Sequence, residues 1–422
     1  MSGVEFLDKL LDGVAVEWKP LGELGELIRG NGLQKKDFTE TGVPAIHYGQ
    51  IYTYYGLSTT ETKSFVPPDL AKQLKKVDKG DVVITNTSEN LEDVGKALVY
   101  LGEQQAVTGG HASILKPGEC LLGKYFAYFT QTEEFSGAKR KYAKGTKVID
   151  VSATDMAKIQ IPIPCPDNPK KSLEIQAEIV LILDAFTELT TELTTELTIR
   201  KKQHNHYRDQ LLSFEGGEVE WKTLGDVATK IYSGGTPKTH IAEYWDNGDI
   251  PWMSSGEVNL QTIYKTESHI SEAGLKSSSA KWVPKNSVVI ALAGQGKTRG
   301  KVARTRIDLT TNQSLAALTF DGKKINSDYV FHYMQTQYEK LRQVSSGEGT
   351  RGGLNLQMIS SYPIPIPPLA EQARIVAILD KFDALTNSIT EGLPREIELR
   401  QKQYEHYRDL LLSFPKPEEQ IA

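Results

Sequence analysis

Two long stretches of the chain occur twice, and this internal repeat constrains the fold more than any other feature. The stretch QAEIVLILDAF at 176–186 returns as QARIVAILDKF at 372–382, and YRDQLLSF at 207–214 returns as YRDLLLSF at 407–414. A repeat of this size indicates two equivalent structural units within one chain. Two equivalent modules on equivalent supports suit a target that itself has two halves.

Each repeated stretch follows a long segment of mixed composition. The first module, 16–160, and the second module, 219–362, both open with Val-Glu-Trp-Lys, and both lead into Ile-Pro-Ile-Pro, at 161–164 and 364–367. Inside them, short runs rich in β-branched residues lie among Gly- and Thr-rich turns and helical stretches. We therefore predict that each segment folds as one mixed α/β module.

The repeated stretches have the spacing of a coiled-coil seam. Apolar residues of the first copy recur at alternating steps of 4 and 3, at Ile175, Ile179, Ile182, Phe186, Leu189 and Leu193. The predicted helix, about 172–213, would be roughly 60 Å long, and such a helix needs a partner along its length. The second copy supplies one, with a kink or restart at Pro394 and a seam through Ile375, Ile378, Phe382, Leu385 and Ile389.

The fold class that follows is α+β. We predict two mixed α/β modules joined by two long antiparallel helices that form a coiled coil, with pseudo-two-fold symmetry. The start of the chain, FLDKLL at 6–11, resembles YRDQLL at 207–212, so the organisation would be near-circular with the termini close together. Two separate core helices are the alternative. The predicted domain boundaries are 1–15, 16–160, 161–218, 219–362 and 363–422.

Charge argues at first against a nucleic-acid binder. The 422 residues have a formal net charge of −5, but that charge is unevenly distributed. The first module has 18 basic and 18 acidic residues, and the second has 17 basic and 13 acidic residues. A local positive face is therefore compatible with the composition.

Cysteine content and hydropathy narrow the class of protein further. Cys120 and Cys165 are the only cysteines, too few for a disulfide framework or a cysteine-rich zinc site. Apolar runs are far shorter than a membrane span, and the first residues, MSGVEFLDKLLDG, do not resemble a secretion signal. We expect a cytoplasmic protein without a membrane partner.

One stretch resembles a nucleotide-binding loop. The sequence ALAGQGKT at 291–298 fits a relaxed phosphate-loop pattern, in which Lys297 would bind phosphates and Thr298 would bind magnesium. The residues that follow are a poor helix start, and the matching place in the first module has no Gly-Lys-Thr. We therefore expect a basic loop, and a stand-alone ATPase is the alternative.

Other catalytic or metal-binding patterns are incomplete. Asn168-Pro169-Lys170 lacks the second proline and the aromatic residue of an adenine methyltransferase motif. Pro166-Asp167 with Glu174-Ile-Gln176 lacks the lysine of a nuclease motif. No carboxylate or cysteine set in the sequence converges on the histidines near the helix ends, His204, His206 and His406. We predict no catalytic residue and no metal site on this chain.

Several motifs resemble the specificity subunit of type I restriction–modification systems. They are Val-Glu-Trp-Lys-x-Leu-Gly at each module's start, SGGTPKT at 233–239, GDIPWMSSG at 248–256, GTRGGLNL at 349–356 and IPIPPLAEQ at 364–372. Three Thr-Glu-Leu-Thr units between 187 and 198 are similar to the subgroup with short tandem repeats in its central helix. The resemblance covers nearly the whole chain and is weakest inside the modules.

The resemblance implies a DNA-reading subunit that is not itself the catalyst. Each module would be a target-recognition domain for one half of a split, asymmetric sequence in double-stranded DNA. The helices would fix the unread spacer and dock two adenine-N6 methyltransferase subunits, and two motor and nuclease subunits would join them. S-adenosylmethionine, ATP and Mg²⁺ would then belong to partner subunits, with no cofactor on this chain. The alternative is a non-catalytic coiled-coil scaffold, or a DNA-binding adaptor outside restriction–modification.

The tandem repeat suggests how a spacer could be measured. Since four residues make slightly more than one helical turn, one unit changes the helix by about 6 Å, roughly two base-pair steps of DNA. Slippage in the gene without any mechanical effect is the alternative. The candidate spacer residues are Thr187, Leu189, Thr191, Leu193, Thr195 and Leu197.

Reading bases requires polar side chains that reach the groove edges. In the first module the richest loops contain Lys35, Lys36, His47, Tyr48, Gln50, Thr85, Asn86, Lys139, Arg140 and Lys141. In the second they contain Thr236, Lys238, Ser254, Ser255, Lys297, Thr298, Arg299, Lys301, Arg304 and Arg351. An ordinary polar surface loop is the alternative for any one of them.

Overall fold

A computed structural model describes residues 13–214, 219–294, 297–345, 353–387 and 392–414. Contacts divide the chain into two units, Met1–Leu193 with Ile397–Ala422, and Thr194–Glu396. Each unit contains one module and a part of both repeated helical regions. The predicted domain boundaries themselves stay predictions.

Each module contains a five-stranded sheet with the same strand order. Only the last strand is parallel to its neighbour, and the other pairs are antiparallel. In the first module the order is Gly25–Arg29, Ala112–Pro117, Val82–Thr85, Ala97–Tyr100 and Ser58–Thr59. In the second it is Lys230–Ser233, Leu315–Thr319, Val288–Ala291, Val302–Thr305 and Thr262–Ile263.

A four-stranded sheet is also common to both modules, and its two inner strands are parallel. The first module orders its strands Ser64–Val66, Val43–Ile46, Ala106–Thr108 and Lys75–Val77. The second module orders them Ser268–Ile270, Ile250–Met253, Leu309–Thr311 and Trp282–Val283. The matching order confirms two mixed α/β modules that are structural repeats. The first module has one further pair, Thr87–Ser88 with Ile149–Asp150.

The ends of each module pair with each other. Val16–Pro20 is antiparallel to Gln160–Pro164, and Glu220–Thr223 is antiparallel to Pro363–Ile366. The repeated Val-Glu-Trp-Lys and Ile-Pro-Ile-Pro motifs are therefore the two strands of one closing ribbon. Because of this pairing, the chain enters and leaves each module at the same place.

Short helices complete both modules. Those of the first are Leu21–Leu24, Lys35–Asp37, Tyr48–Thr53, Pro68–Ala71, Gly123–Phe129, Glu133–Arg140 and Ala153–Met156. Those of the second are Leu224–Val227, Ala242–Tyr244, Ser255–Leu260, Glu272–Lys276, Ser327–Thr336, Tyr338–Val344 and Leu356–Ser360.

The same two hydrogen bonds recur in each module, one to the repeated helix and one to the closing strand. Gln176 Oε1 accepts from the Leu122 N–H at 2.8 Å, and Gln372 Oε1 accepts from the Asn326 N–H at 2.9 Å. The buried hydroxyl of Tyr125 donates to Pro162 O at 2.8 Å, and Tyr329 makes the equivalent bond to Pro365 O at 2.8 Å. Apolar residues of the repeated helices complete each core, including Ile179 and Leu183 in the first and Ile375 and Leu379 in the second.

Three long helices carry the repeats: the central helix Pro169–Leu211, then Leu369–Asn387 and Gly392–Leu411. In the first unit, Phe186 stacks on Tyr407 with ring centroids 5.1 Å apart. In the second, Phe382 stacks on Tyr207 at 5.7 Å. Along the continuous central helix, the earlier residue Phe186 contacts the later part of the second copy, and the later residue Tyr207 contacts its earlier part. This order shows that the two repeated regions run antiparallel. The alternative of two separate core helices was wrong.

The interruption predicted near Pro394 is present. One helix ends at Asn387 and the next begins at Gly392, whose φ of +76° suits a residue without a side chain. Ile389, predicted for the seam, lies outside the described residues. So do residues 1–12, which hold most of the segment predicted to complete the circular repeat. Val14 packs against the core cluster that also contains Leu411 and Phe414, in agreement with a near-circular organisation.

Within the part of the chain that the structure describes, every helix is too short or too polar to span a lipid bilayer.

Candidate nucleic-acid interface

The first module presents a capped turn at the end of a strand. His47 follows the strand Val43–Ile46 and caps a short helix, and its Nδ1 accepts a hydrogen bond from the Gly49 N–H at 3.2 Å. In return, Gln50 Oε1 accepts from the His47 N–H at 3.4 Å. Gln50 Nε2 also donates to Ser64 Oγ at 2.6 Å. This reciprocal cap fixes the backbone and the ring of His47 together.

Aromatic side chains surround this cap. The Tyr48 ring lies between the rings of His47 and His111, with centroids 4.6 and 4.8 Å away. Phe38 meets His47 edge-on at 5.5 Å, and Thr87 Oγ1 lies 2.8 Å from His111 Nδ1. We name His47, Tyr48, Thr87 and His111 the first loop cluster. The sequence analysis missed His111, for which the available signal was its place after two glycines at a strand end.

The surroundings favour a neutral ring at His47. Burial is the main cause that lowers the pKa of His47, and nearby His111 and Lys35 lower it further by charge repulsion. A neutral imidazole that accepts at Nδ1 carries its proton on Nε2. Lys35 and Lys36 are exposed on the turn Lys35–Asp37. The cluster therefore combines an oriented ring donor with exposed positive charge.

The second module repeats this cap with different side chains. Ser254 follows the strand Ile250–Met253, as His47 follows its own strand. The Ser254 N–H donates to Glu257 Oε2 at 2.7 Å, and Glu257 is buried. Ser254 and Glu257 therefore occupy the places of His47 and Gln50 in the first module.

The strand next to this cap contributes a second polar loop. The Asn312 N–H donates to Met253 O at 3.1 Å, and Gln313 Oε1 accepts from Thr236 Oγ1 at 2.6 Å. We name Thr236, Ser254, Ser255 and Gln313 the second loop cluster. The two clusters share a backbone arrangement, but one presents rings and the other presents hydroxyls and an amide.

The loop after strand Val288–Ala291 is not arranged to bind a nucleotide. The backbone N–H groups of Lys297, Thr298 and Arg299 all point to Gly294 O, at 3.2, 3.1 and 3.1 Å. Thr298 Oγ1 donates to Ala293 O at 3.0 Å, and the next element is a strand. A phosphate loop needs those N–H groups free and a helix after them. The ATPase alternative is contradicted in the described part of this loop, which excludes residues 295–296.

Five residues predicted as exposed DNA contacts are buried, and for them that prediction was wrong. Asn86 Nδ2 donates to Val151 O at 2.7 Å, and Lys139 Nζ donates to Val94 O at 2.6 Å. Such bonds satisfy polar groups inside a module. The buried set is Thr85, Asn86, Lys139, Thr298 and Arg304.

Arg304 ties the second module to a repeated helix. Its Nη1 lies 2.7 Å from Asp380 Oδ1 and 3.3 Å from Asp328 Oδ1, and its guanidinium lies over the Phe331 ring at 4.7 Å. Although burial acts to raise it, hydrogen bonds from His332 and Arg304 lower the pKa of Asp380 to about 2. Arg304 is thus a structural cation rather than a DNA contact.

A single carboxylate approaches one of the repeated histidines, and a pair of carboxylates lies beside a different histidine. His204 Nε2 lies 3.7 Å from Asp383 Oδ1, and the ring stacks on Phe382 at 5.7 Å. His332, Asp380 and Asp383 come close enough together to share an ion. However, the guanidinium of Arg304 already supplies the positive charge at Asp380, and a metal ion would have to displace it.

The remaining candidates are accessible to different degrees. Lys301 Nζ donates to Asn259 Oδ1 at 2.6 Å, whereas Arg351 lies outside the described residues. Half-buried candidates are His47, Tyr48, Gln50, Thr236, Ser254, Ser255, Arg299 and Lys301. Exposed candidates are Lys35, Lys36, Arg140, Lys141, Lys238 and Lys297.

The candidate spacer residues divide by exposure on the central helix. The leucines are half-buried, and the threonines are exposed. Thr191 Oγ1 donates to Thr187 O at 2.8 Å, one turn earlier in the helix. The boundary between the two units falls inside this repeat, after Leu193.

Comparison with known proteins agrees with this architecture. A family model described as "Type I restriction modification DNA specificity domain" matches residues 14–200 and 217–399. The EcoR124I/EcoR124II specificity subunit of Escherichia coli is 41% identical over 426 residues, covering 99% of each chain. The EcoprrI specificity subunit of Escherichia coli is 33% identical, covering 93% of each chain.

Solved structures share the fold. The S subunit of a type I restriction–modification system from M. genitalium superposes with a TM-score of 0.58 at 15% identity, covering 96% of this chain and 98% of that one. A chain from a structure of the type I R-M system gives a TM-score of 0.60 at 17% identity, covering 94% and 97%. The family model spans most of both modules and of the repeated helices, and the chain therefore belongs to the family of type I restriction–modification specificity subunits.

Proposed function

We propose that this chain reads a split DNA sequence for a type I restriction–modification complex, with one half-site for each module. The observation that carries the proposal is the pair of loop clusters. They lie at equivalent places on equivalent sheets, yet one presents His47, Tyr48 and His111 and the other presents Ser254 and Gln313. One scaffold with two sets of donors and acceptors suits two different base sequences.

Exposed lysines would supply an electrostatic attraction to DNA phosphates that does not depend on the base sequence. Lys35 and Lys36 of the first module, and Lys238 and Lys297 of the second, are exposed and suit contacts to phosphates. Such contacts position a protein on the duplex and make binding sensitive to salt. The overall charge of −5 is compatible with this role, because the relevant field is local.

The central helix would set the length of the unread spacer. It is continuous from Pro169 to Leu211 and passes from one unit into the other within the Thr-Glu-Leu-Thr repeat. Any change in the number of Thr-Glu-Leu-Thr repeats therefore changes the length of the helix that links the two modules. The half-buried leucines 189, 193 and 197 support the predicted packing role, and the exposed threonines mark the outer face.

In this proposal, partner subunits carry out the catalytic steps. Two methyltransferase subunits would dock on the repeated helices, and two motor and nuclease subunits would bind that assembly. S-adenosylmethionine would bind to the methyltransferases, and ATP and Mg²⁺ to the motors. This chain would contribute recognition and geometry, and no catalytic group.

The direct test is DNA binding by the chain purified with its methyltransferase partner. Competition binding against a pool of random duplexes should enrich a sequence with two fixed parts and a gap of constant length. A complex that binds every duplex equally would contradict the proposal. Stable association with partners that survives nuclease treatment, without any DNA footprint, would favour the scaffold alternative instead.

A further inference from the structure

The cap of the first module fixes the tautomer of the His47 ring. His47 Nδ1 is occupied as an acceptor, because the Gly49 N–H donates to it at 3.2 Å. In the neutral ring the proton then resides on Nε2, which can only donate. No described residue accepts a hydrogen bond from Nε2, and this nitrogen is not among the buried polar atoms. His47 thus offers one directed donor to a ligand.

The ring is held in place before any ligand arrives. Tyr48 packs against it at 4.6 Å and is itself supported by His111, whose Nδ1 lies 2.8 Å from Thr87 Oγ1. Phe38 blocks a further side at 5.5 Å. Preorganised groups of this kind discriminate better than flexible ones, since little entropy is lost when they bind.

The side chain of Gln50, which lies beside His47, is not available to form a hydrogen bond with a ligand. Both functional atoms of Gln50 are engaged, Oε1 by the His47 N–H and Nε2 by Ser64 Oγ. Gln50 is therefore a positioning residue. Tyr48 has a hydroxyl that can both donate and accept, so it discriminates between base edges less well than a donor alone.

We infer that His47 reads one base of the first module's half-site by donating its Nε2–H to an acceptor in the major groove. The acceptors exposed there are N7 of either purine, O6 of guanine and O4 of thymine. Cytosine offers an amino donor at that edge and would be rejected. This inference rests on the proposed function, and it names the donor, the direction of the hydrogen bond and the excluded base.

The test is a coupling measurement on the complex with the methyltransferase subunit. The affinity of wild-type and His47→Asn complexes is measured for the specific duplex and for duplexes with 7-deazapurines, 6-thioguanine or 4-thiothymine at single positions. Asparagine retains the cap, because its Oδ1 also accepts from the helix N-terminus. Its side-chain amide still carries N–H donors, but they lie closer to the backbone than the ring Nε2 and do not reach the same position. Ser254→Ala in the second module is the matched control.

One analogue position should weaken wild-type binding about five- to tenfold, the size of one neutral hydrogen bond. The same analogue should not weaken the His47→Asn complex further, and that variant should bind the unmodified duplex with a similar loss. Discrimination at the second half-site should be unchanged in His47→Asn and altered only in Ser254→Ala. Thermal melting of the variants would confirm that both fold.

Two outcomes separate the inference from the proposed function. If wild-type binding is sequence-specific but every analogue weakens His47→Asn as much as wild type, His47 does not read a base. If the wild-type complex shows no sequence preference, the proposed function itself fails.

Discussion

Lys139 keeps its amine inside the first module. Its Nζ donates to Val94 O at 2.6 Å and to Glu92 O at 3.2 Å. Burial is the main cause that lowers its pKa to about 8, and Lys96 contributes by repulsion. A lysine that normally titrates near 10.5 is thus a source of pH-dependent stability rather than a contact for phosphate.

The direction in which stability changes with pH follows from the number of protons that the folded and unfolded chains bind at Lys139. Between pH 8 and about 10.5 the unfolded chain holds more protons at residue 139 than the folded chain, so stability rises with pH in that window. At pH 7 the charged amine costs up to about 3 kcal/mol, and this cost falls to about 1 kcal/mol at pH 10. Lys139→Met should therefore gain stability relative to wild type at pH 7 and lose most of that advantage at pH 10.

Melting temperatures of both proteins across pH 7–10 would test this prediction. Lys141→Met, which removes an exposed amine from the same region, is the matched control. A difference between wild type and Lys139→Met that stays constant with pH would contradict it.

Arg304 and Lys297 lie in the same basic stretch but should respond differently to substitution. Arg304→Met leaves Asp380 and Asp328 without their shared cation, so we expect a loss of about 2–3 kcal/mol in stability, reduced by partial exposure of both carboxylates. Lys297→Met should leave stability within about 0.5 kcal/mol and weaken DNA binding at low salt. Thermal melts and salt titrations of binding would separate the two effects. Equal melting temperatures for both variants would exclude a structural role for Arg304.

Among the helices, the four-residue period of the tandem repeat makes a length prediction. Deleting 191–194 removes about 6 Å and turns the following helix by roughly 40°, which leaves its buried face nearly in phase. The preferred spacer should shorten by about two base pairs while both half-sites stay the same. Sequencing of methylated bases in a host that expresses the complete system would report the half-sites and the gap together. A change in either half-site would contradict the spacer role.

Helical phase provides a control for that deletion. Removing only 191–192 turns the following helix by roughly 200°, which carries Leu212 and its neighbours away from the second core. This variant should be unstable, although it is shortened less. Equal stability of the two deletions would show that the repeat tolerates any length change.

Elements that recur in the sequence were predictable, and single contacts were not. The seam spacing predicted the central helix, and the repeated Val-Glu-Trp-Lys and Ile-Pro-Ile-Pro motifs marked what proved to be paired strands. The partnership of Arg304 with Asp380 spans 76 positions and follows no periodicity, so composition alone made Arg304 look like an exposed DNA contact. Likewise, His111 joins the first loop cluster only because two strands end side by side.

At the scale of the whole molecule, the first and last strands of each module pair with each other. We therefore predict that one module can be exchanged without changing the sequence that the other module recognises. The pairing of Glu220–Thr223 with Pro363–Ile366 lets the second module be replaced between those strands without changing the helices. A chain that carries the second module of a relative should keep its first half-site and spacer and gain a new second half-site. Methylation patterns in the host would test this, and a changed first half-site would contradict it.

The first unit is completed by residues that are synthesised long after the beginning of its central helix. Its core cluster contains Leu411, Leu412 and Phe414 together with Ile179 and Leu183. At ordinary translation rates, on the order of tens of seconds separate the emergence of these two parts from the ribosome. During that interval the core of the first unit lacks the apolar side chains of Leu411, Leu412 and Phe414. A chain cut short by a premature stop codon would keep that core incomplete, and chaperones and proteases would recognise the chain before it could compete for assembly.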